Sequence, residues 1–123
     1  MDIAIFDTKL ELGRAAAERA AAAIGEAIGR NGEARVIAAT GASQFEFLDA
    51  LTATPGVEWA RVDLFHLDEY VGVLDSHPAS FRRYLRERIV EPVHPRAFHF
   101  LAGDAADPAA ECRRVGALLA RAP

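Results

Sequence analysis

The apolar positions of the chain follow two different spacings, one typical of strands and the other typical of helices. Short apolar runs predict four extended segments, at residues 3–6, 35–39, 61–66 and 97–101. Longer stretches with apolar residues three and four positions apart predict helices at residues 8–30, 44–53, 77–89 and 104–121. Because strands alternate with helices, we expect an α/β fold in which a parallel sheet carries helices on both faces.

The bulk composition adds limits to this picture. The 123 residues leave room for one domain, and no repeat or linker divides them. A net charge of −4 without any Lys/Arg-rich run argues against a nucleic-acid partner. The apolar stretch from residue 15 to residue 28 is too short and too charged to span a membrane. Because the single cysteine, Cys112, has no internal disulfide partner, we expect a cytoplasmic location.

Two loops follow predicted strands, at the edge where open parallel sheets bind ligands. The first is Thr40-Gly41-Ala42-Ser43, whose backbone amides and hydroxyls suit a phosphate group. Its alternative role is an ordinary cap of the next helix. The second loop starts with Asp68 and Glu69, and a carboxylate held there above a sugar could act as a general base. The alternatives for this pair are an ordinary acidic loop and a pair of acids at a helix start.

The next helix brings further polar candidates. His77 opens the segment His77-Pro78-Ala79-Ser80, which either presents polar groups to the site or caps the helix. Four arginines predict a basic helix surface that faces solvent or another subunit: Arg82, Arg83, Arg86 and Arg88. His94 and His99 stand apart from any cysteine or close histidine partner, so we predict no metal site.

The loops and the strands before them also form a recognisable pattern. Residues 62–72 read VDLFHLDEYVG, a strand leading into a D-E-Y-V-G loop, and residues 77–81 read HPASF, an H-P-x-S-[YF] helix start. Together they resemble the glucosamine-6-phosphate deaminase/isomerase family, which is related to the 6-phosphogluconolactonases. Residues 39–44, ATGASQ, occupy the place of the family's T-G-[GS]-[ST]-P loop. The resemblance implies a Rossmann-like α/β fold.

The resemblance also implies roles for particular residues. Asp68 matches the general base that moves a proton between C1 and C2 of an open-chain hexose phosphate. The positions that cradle the phosphate are Thr40, Gly41, Ala42 and Ser43, and the supporting positions are Glu69, Tyr70 and His77. The implied reaction converts glucosamine-6-phosphate to fructose-6-phosphate and ammonia, with no metal or organic cofactor.

The resemblance covers only about the N-terminal half of a family member. The family's second motif, G-[IV]-G-x-x-G-H-[IL]-A-F-N-E, supplies the groups for sugar ring opening and is absent from the 123 residues. We therefore expect one apparently truncated domain over residues 1–123, with little turnover of its own. Its exposed apolar sheet should favour self-association, which makes a homo-oligomer possible. Two alternatives remain open, a 6-phosphogluconolactonase-like hydrolase and a non-catalytic sugar-phosphate-binding module.

Overall fold

A computed structural model describes residues 3–121 of the chain, and its centre is a three-stranded parallel sheet. The strands are β1, Ala34–Ala38; β2, Val62–His66; and β3, Ala97–His99. They lie in the order β1-β2-β3, with β2 in the middle. Ala38 of β1 is in register with His66 of β2, so these two strands end together. The predicted parallel sheet is confirmed.

Helices connect the strands. They are α1, Lys9–Asn31; α2, Phe45–Ala53; α3, Phe81–Leu85; α4, Glu91–Val93; and α5, Pro108–Leu119. A wider π-helical stretch, Arg86–Val90, joins α3 to α4 without a break. At the start of α1, Thr8 and Glu11 form a reciprocal capping box, which satisfies amides that the first turn leaves free. None of the helices among residues 3–121 has the length and apolar character that crossing a membrane requires.

The core lies mainly between the sheet and α1, α2 and α3. Ile24 and Ile28 of α1 pack in one buried cluster with residues of both other helices and of the sheet, including Leu48, Leu64 and Leu85. On the opposite face, the Arg35 guanidinium donates to the carbonyl oxygens of Leu118 and Leu119 at 2.6 and 3.0 Å. These bonds place the end of α5 on that second face, so the sheet has helices on both sides.

Two details differ from the sequence-based expectations. The strand predicted at residues 3–6 is wrong, because Ile3 and Ile5 are 73% and 90% exposed and pair with no strand in the described part of the chain. An apolar run becomes a strand only when a neighbour accepts its backbone hydrogen bonds. The third helix begins at Phe81 and not at His77, since the residues before it form turns.

Candidate functional site

The two candidate loops leave the sheet from the same edge. β1 ends at Ala38 and β2 ends at His66, and these residues are paired in register. The amide of Leu67 also donates to the carbonyl of Ala38 at 3.2 Å, which ties the start of the second loop to the end of β1. The structure therefore brings the Thr40–Ser43 segment and the Asp68–Gly72 segment to the carboxyl ends of neighbouring strands, where such sheets bind ligands.

The first loop is shaped by Gly41. Its φ of 105° lies in a region that L side chains rarely adopt, so glycine is needed there. The hydroxyl of Tyr84 donates to the Gly41 carbonyl at 2.9 Å and fixes the turn from the α3 side. Ala42 and Ser43 are exposed and start a 3-10 turn before α2, and Thr40 is half-buried. This arrangement presents backbone and hydroxyl groups at the sheet edge.

The adjacent acids Asp68 and Glu69 have opposite surroundings. Asp68 is exposed, and among residues 3–121 its carboxylate accepts no hydrogen bond and forms no ion pair. The Glu69 side chain is only 1% exposed. Of the two, only the carboxylate of Asp68 is therefore open to a ligand arriving at this edge.

Glu69 caps the start of α3 from a distance in sequence. Its carboxylate accepts hydrogen bonds from the Ser80 hydroxyl at 2.9 Å and from the amides of Phe81 and Arg82 at 3.0 and 2.8 Å. It also accepts from the amide of Tyr70 at 3.0 Å. Burial by itself raises the pKa of Glu69, but these four donors outweigh it and the pKa lies below its usual value. Glu69 is thus an ionised structural group.

Arg82 is the buried cation of this region, and the prediction that it belongs to an exposed basic surface is wrong. The residue is 8% exposed. Its Nη2 lies 2.7 Å from Asp104 Oδ1 and donates to the Val73 carbonyl at 2.8 Å, and its Nε lies 3.6 Å from a Glu69 oxygen. The missed signal is its helical spacing, since Arg82 is three residues before Leu85, which is fully buried.

Three other side chains near Glu69 are those of the predicted residues Tyr70 and His77 and of His66, the last residue of β2. The Tyr70 ring is 53% exposed and packs on Phe81 with ring centroids 4.8 Å apart. His77 is exposed, and its Nδ1 accepts from the amide of Ala79 at 3.0 Å, so it makes a local turn contact. His66 is buried and its Nδ1 accepts from the amide of Leu101 at 3.4 Å. Burial lowers the pKa of His66, although the nearby acids oppose this.

Within residues 3–121, no three or more His, Cys, Asp or Glu side chains are placed to hold a metal ion together. Sequence reasoning also missed Tyr84 and Gly103, which contact the two loops from α3 and from the β3–α5 connection. A tyrosine on an apolar helix face carries little signal by itself.

Known proteins are similar to this chain in sequence. Residues 7–123 match the family model described as glucosamine-6-phosphate isomerases/6-phosphogluconolactonase. A glucosamine-6-phosphate deaminase of an Arthrobacter species is 33% identical over 118 residues, which cover 92% of this chain and 44% of that protein. One from Pseudarthrobacter chlorophenolicus is 32% identical over 126 residues, covering 99% of this chain and 47% of that protein.

Solved structures agree with these sequence matches. A monomeric glucosamine-6-phosphate deaminase has a TM-score of 0.83 at 27% identity, with 98% of this chain and 50% of that chain covered. A 6-phosphogluconolactonase from Shewanella baltica, at 23% identity, has the same fold, with a TM-score of 0.80 and coverage of 96% and 50%. The chain spans about half the length of the proteins it matches.

Proposed function

The chain belongs to the glucosamine-6-phosphate isomerase/6-phosphogluconolactonase family, and from this membership we propose that it carries the proton-transfer part of a glucosamine-6-phosphate deaminase-like site. In this proposal Asp68 is the general base and the Thr40–Ser43 loop holds the sugar phosphate. The observation that carries the proposal is the contrast between the two acids. The Glu69 oxygens are occupied by four donors, whereas Asp68 is exposed at the sheet edge next to the Gly41 turn.

The proposed reaction is an aldose–ketose shift followed by loss of ammonia. The Asp68 carboxylate removes the proton from C2 of the open-chain amino aldose, and the electron pair moves towards the carbonyl at C1. Return of a proton at C1, with transfer of an amine proton to the C1 oxygen, leaves a C1 hydroxyl and a C2 imine. Addition of water at C2 then releases ammonia and gives the ketose. A carboxylate placed over two adjacent carbons meets the geometric requirement for this proton transfer.

The phosphate end of the substrate is assigned to the first loop. Gly41 lets the backbone turn without a side chain in the way, and the exposed Ala42 and Ser43 begin a helical turn whose amides suit an anion. Tyr84 supports this turn through the Gly41 carbonyl. The motif that the resemblance assigns to ring opening is not among the 123 residues, so the proposal for these residues concerns the open-chain sugar.

A test should therefore avoid the ring-opening step. In deuterium oxide, the proposed base exchanges a C1 hydrogen of fructose-6-phosphate for deuterium, because the open keto form of this sugar is present in solution. Mass spectrometry should detect exchange above the buffer rate. A general base contributes about 10²–10⁴-fold, so Asp68→Asn should lower the rate by at least about 100-fold.

A control variant and two further measurements distinguish the proposed proton transfer from lactone hydrolysis and from binding without reaction. Half-buried Asp75 lies outside the Asp68–Gly72 loop and its carboxylate is paired with Arg86 at 3.0 Å. It provides the control Asp75→Asn, which should exchange at the wild-type rate. Exchange that persists in Asp68→Asn would refute the proposed base. Hydrolysis of a 6-phosphogluconolactone without any exchange would indicate the lactonase chemistry instead. A rise in melting temperature with fructose-6-phosphate but no exchange would indicate a binding module.

A further inference from the structure

The connection between β3 and α5 is in direct contact with the Asp68–Gly72 loop. Gly103 is the point of contact: a Cβ placed there would collide with the Tyr70 carbonyl oxygen and lie 2.7 Å from Glu69 Cγ. The Gly103 carbonyl accepts a hydrogen bond from the Gly72 amide at 2.7 Å. The backbone of the second loop is therefore in van der Waals and hydrogen-bond contact with a residue more than thirty positions later.

The connection that carries Gly103 is itself held in place from α5. Glu111 accepts from the amide of Ala102 at 2.8 Å, and Arg114 bonds to both Glu111 and the Phe100 carbonyl. On the other side of Gly103, Asp104 forms the 2.7 Å ion pair with buried Arg82. Because residues on both sides of Gly103 are held by these bonds, Gly103 cannot move away from the Asp68–Gly72 loop unless contacts with charged side chains are broken.

We propose that Gly103 is a positioning residue for Asp68. The absence of a side chain lets the β3–α5 connection support the Tyr70–Val71 peptide and the side-chain stem of Glu69, which is the residue next to Asp68. This support sets where the Asp68 carboxylate stands. Any side chain at position 103 displaces that peptide, because the colliding atoms belong to backbone and to a buried carboxylate stem. This inference rests on the proposed function of Asp68.

The test compares two identical substitutions at different glycines. Gly103→Ala adds a methyl group against the loop, whereas Gly116→Ala adds one in α5 with nothing within 4 Å. Both are assayed for deuterium exchange into fructose-6-phosphate, at a temperature where circular dichroism shows each variant to be folded. A displacement near 1 Å lowers rates by about 100-fold, so we expect that loss in Gly103→Ala and the wild-type rate in Gly116→Ala.

A second measurement separates positioning from a general loss of structure. Backbone amide hydrogen exchange followed by NMR should show loss of protection at Gly72 in Gly103→Ala, with the β1 and β2 amides still protected. A purely structural role would lower protection everywhere and reduce sugar exchange only in proportion to the unfolded fraction. Should Gly103→Ala fail to fold, Glu111→Gln loosens the same connection without adding atoms, and it should also slow sugar exchange.

The outcomes distinguish this inference from the function on which it rests. A wild-type chain without Asp68-dependent exchange overturns the proposed function and the positioning role with it. Asp68-dependent exchange that is unchanged in folded Gly103→Ala, or unchanged in Glu111→Gln when Gly103→Ala does not fold, overturns the positioning role alone. Loss of exchange in Gly116→Ala equal to that in Gly103→Ala also overturns it.

Discussion

Replacement of Arg82 tests how the site is held together. Arg82→Met keeps an unbranched stem and a similar helix propensity but removes the guanidinium group with its charge and donors. The Val73 carbonyl loses its partner, which costs about 1–3 kcal/mol when the group stays buried. The Glu69 carboxylate, 1% exposed, loses its nearest cation. Removal of one member of a buried ion pair costs about 3–5 kcal/mol.

The structure favours the lower end of this range. Glu69 keeps its four hydrogen-bond donors, and Asp104, with 34% of its side chain exposed, can be solvated by water. We therefore expect the free energy of unfolding to fall by about 3 kcal/mol, a large part of the roughly 5–15 kcal/mol of an ordinary domain. Urea denaturation should show a lower midpoint with an unchanged slope.

The neighbouring arginine supplies the matched control. Arg83 pairs with Glu87, but their side chains are 46% and 53% exposed, so Arg83→Met should leave the midpoint nearly unchanged. The difference between the variants should also shrink in acid, because protonation of Glu69 removes the charge that Arg82 balances. Equal midpoints for Arg82→Met and Arg83→Met would refute the view that Arg82 is a buried link between Glu69, Val73 and Asp104.

Further predictions concern the first loop, acid stability and the open sheet edge. Tyr84→Phe removes the donor to the Gly41 carbonyl, so the free energy of unfolding should fall by about 1 kcal/mol, with Tyr70→Phe as the control for stability. Calorimetry should also show weaker fructose-6-phosphate binding by Tyr84→Phe. The hydrogen bond from Arg114 lowers the pKa of Glu111 to about 2. The Glu111 carboxylate therefore contributes fully to stability above the pKa that it has in the unfolded chain, and this contribution is lost as the pH falls towards 2. Glu111→Gln should flatten that part of the acid-unfolding curve, and an unchanged curve would contradict this prediction. Ile37 on β1 is 54% exposed and should promote self-association of the chain. Sedimentation experiments should show less association for Ile37→Lys. A wild-type chain that stays monomeric at high concentration would contradict this prediction.

The sequence was sufficient to predict the elements whose signals are local. The spacing of Ile24 and Ile28, together with the polar residues that end α1, places that helix within a few positions of its observed bounds. β1 and β2 were predicted because apolar runs followed by turn residues are typical of buried parallel strands. The segment at residues 3–6 has the same local signal, but the partner that would make it a strand is not among the described residues. The local pattern of a segment does not indicate whether another strand lies beside it.

The burial of Arg82 is a second feature that the local sequence pattern does not predict. Its charge predicts exposure, yet its helical position places it on the side of Leu85. Its Nη2 contacts Asp104 and the Val73 carbonyl, and the Glu69 carboxylate lies 3.6 Å from its Nε, so charges and an acceptor from other segments make burial possible. Gly103 is harder still, because nothing next to it in sequence indicates that the Tyr70 backbone occupies the space of its missing side chain. Such contacts depend on tertiary placement, which no spacing rule contains.

The pair Asp68-Glu69 shows why placement decides chemistry. Two carboxylates in adjacent positions are equal on sequence grounds, and either could serve as a base. The start of α3 needs an acceptor for its free amides, and Glu69 reaches it, so that carboxylate is buried, fully bonded and held ionised. A group in that state would lose several hydrogen bonds on taking a proton. Asp68 accepts no such hydrogen bonds among residues 3–121. This difference is why we propose Asp68, and not Glu69, as the base, with Gly103 as its positioning residue.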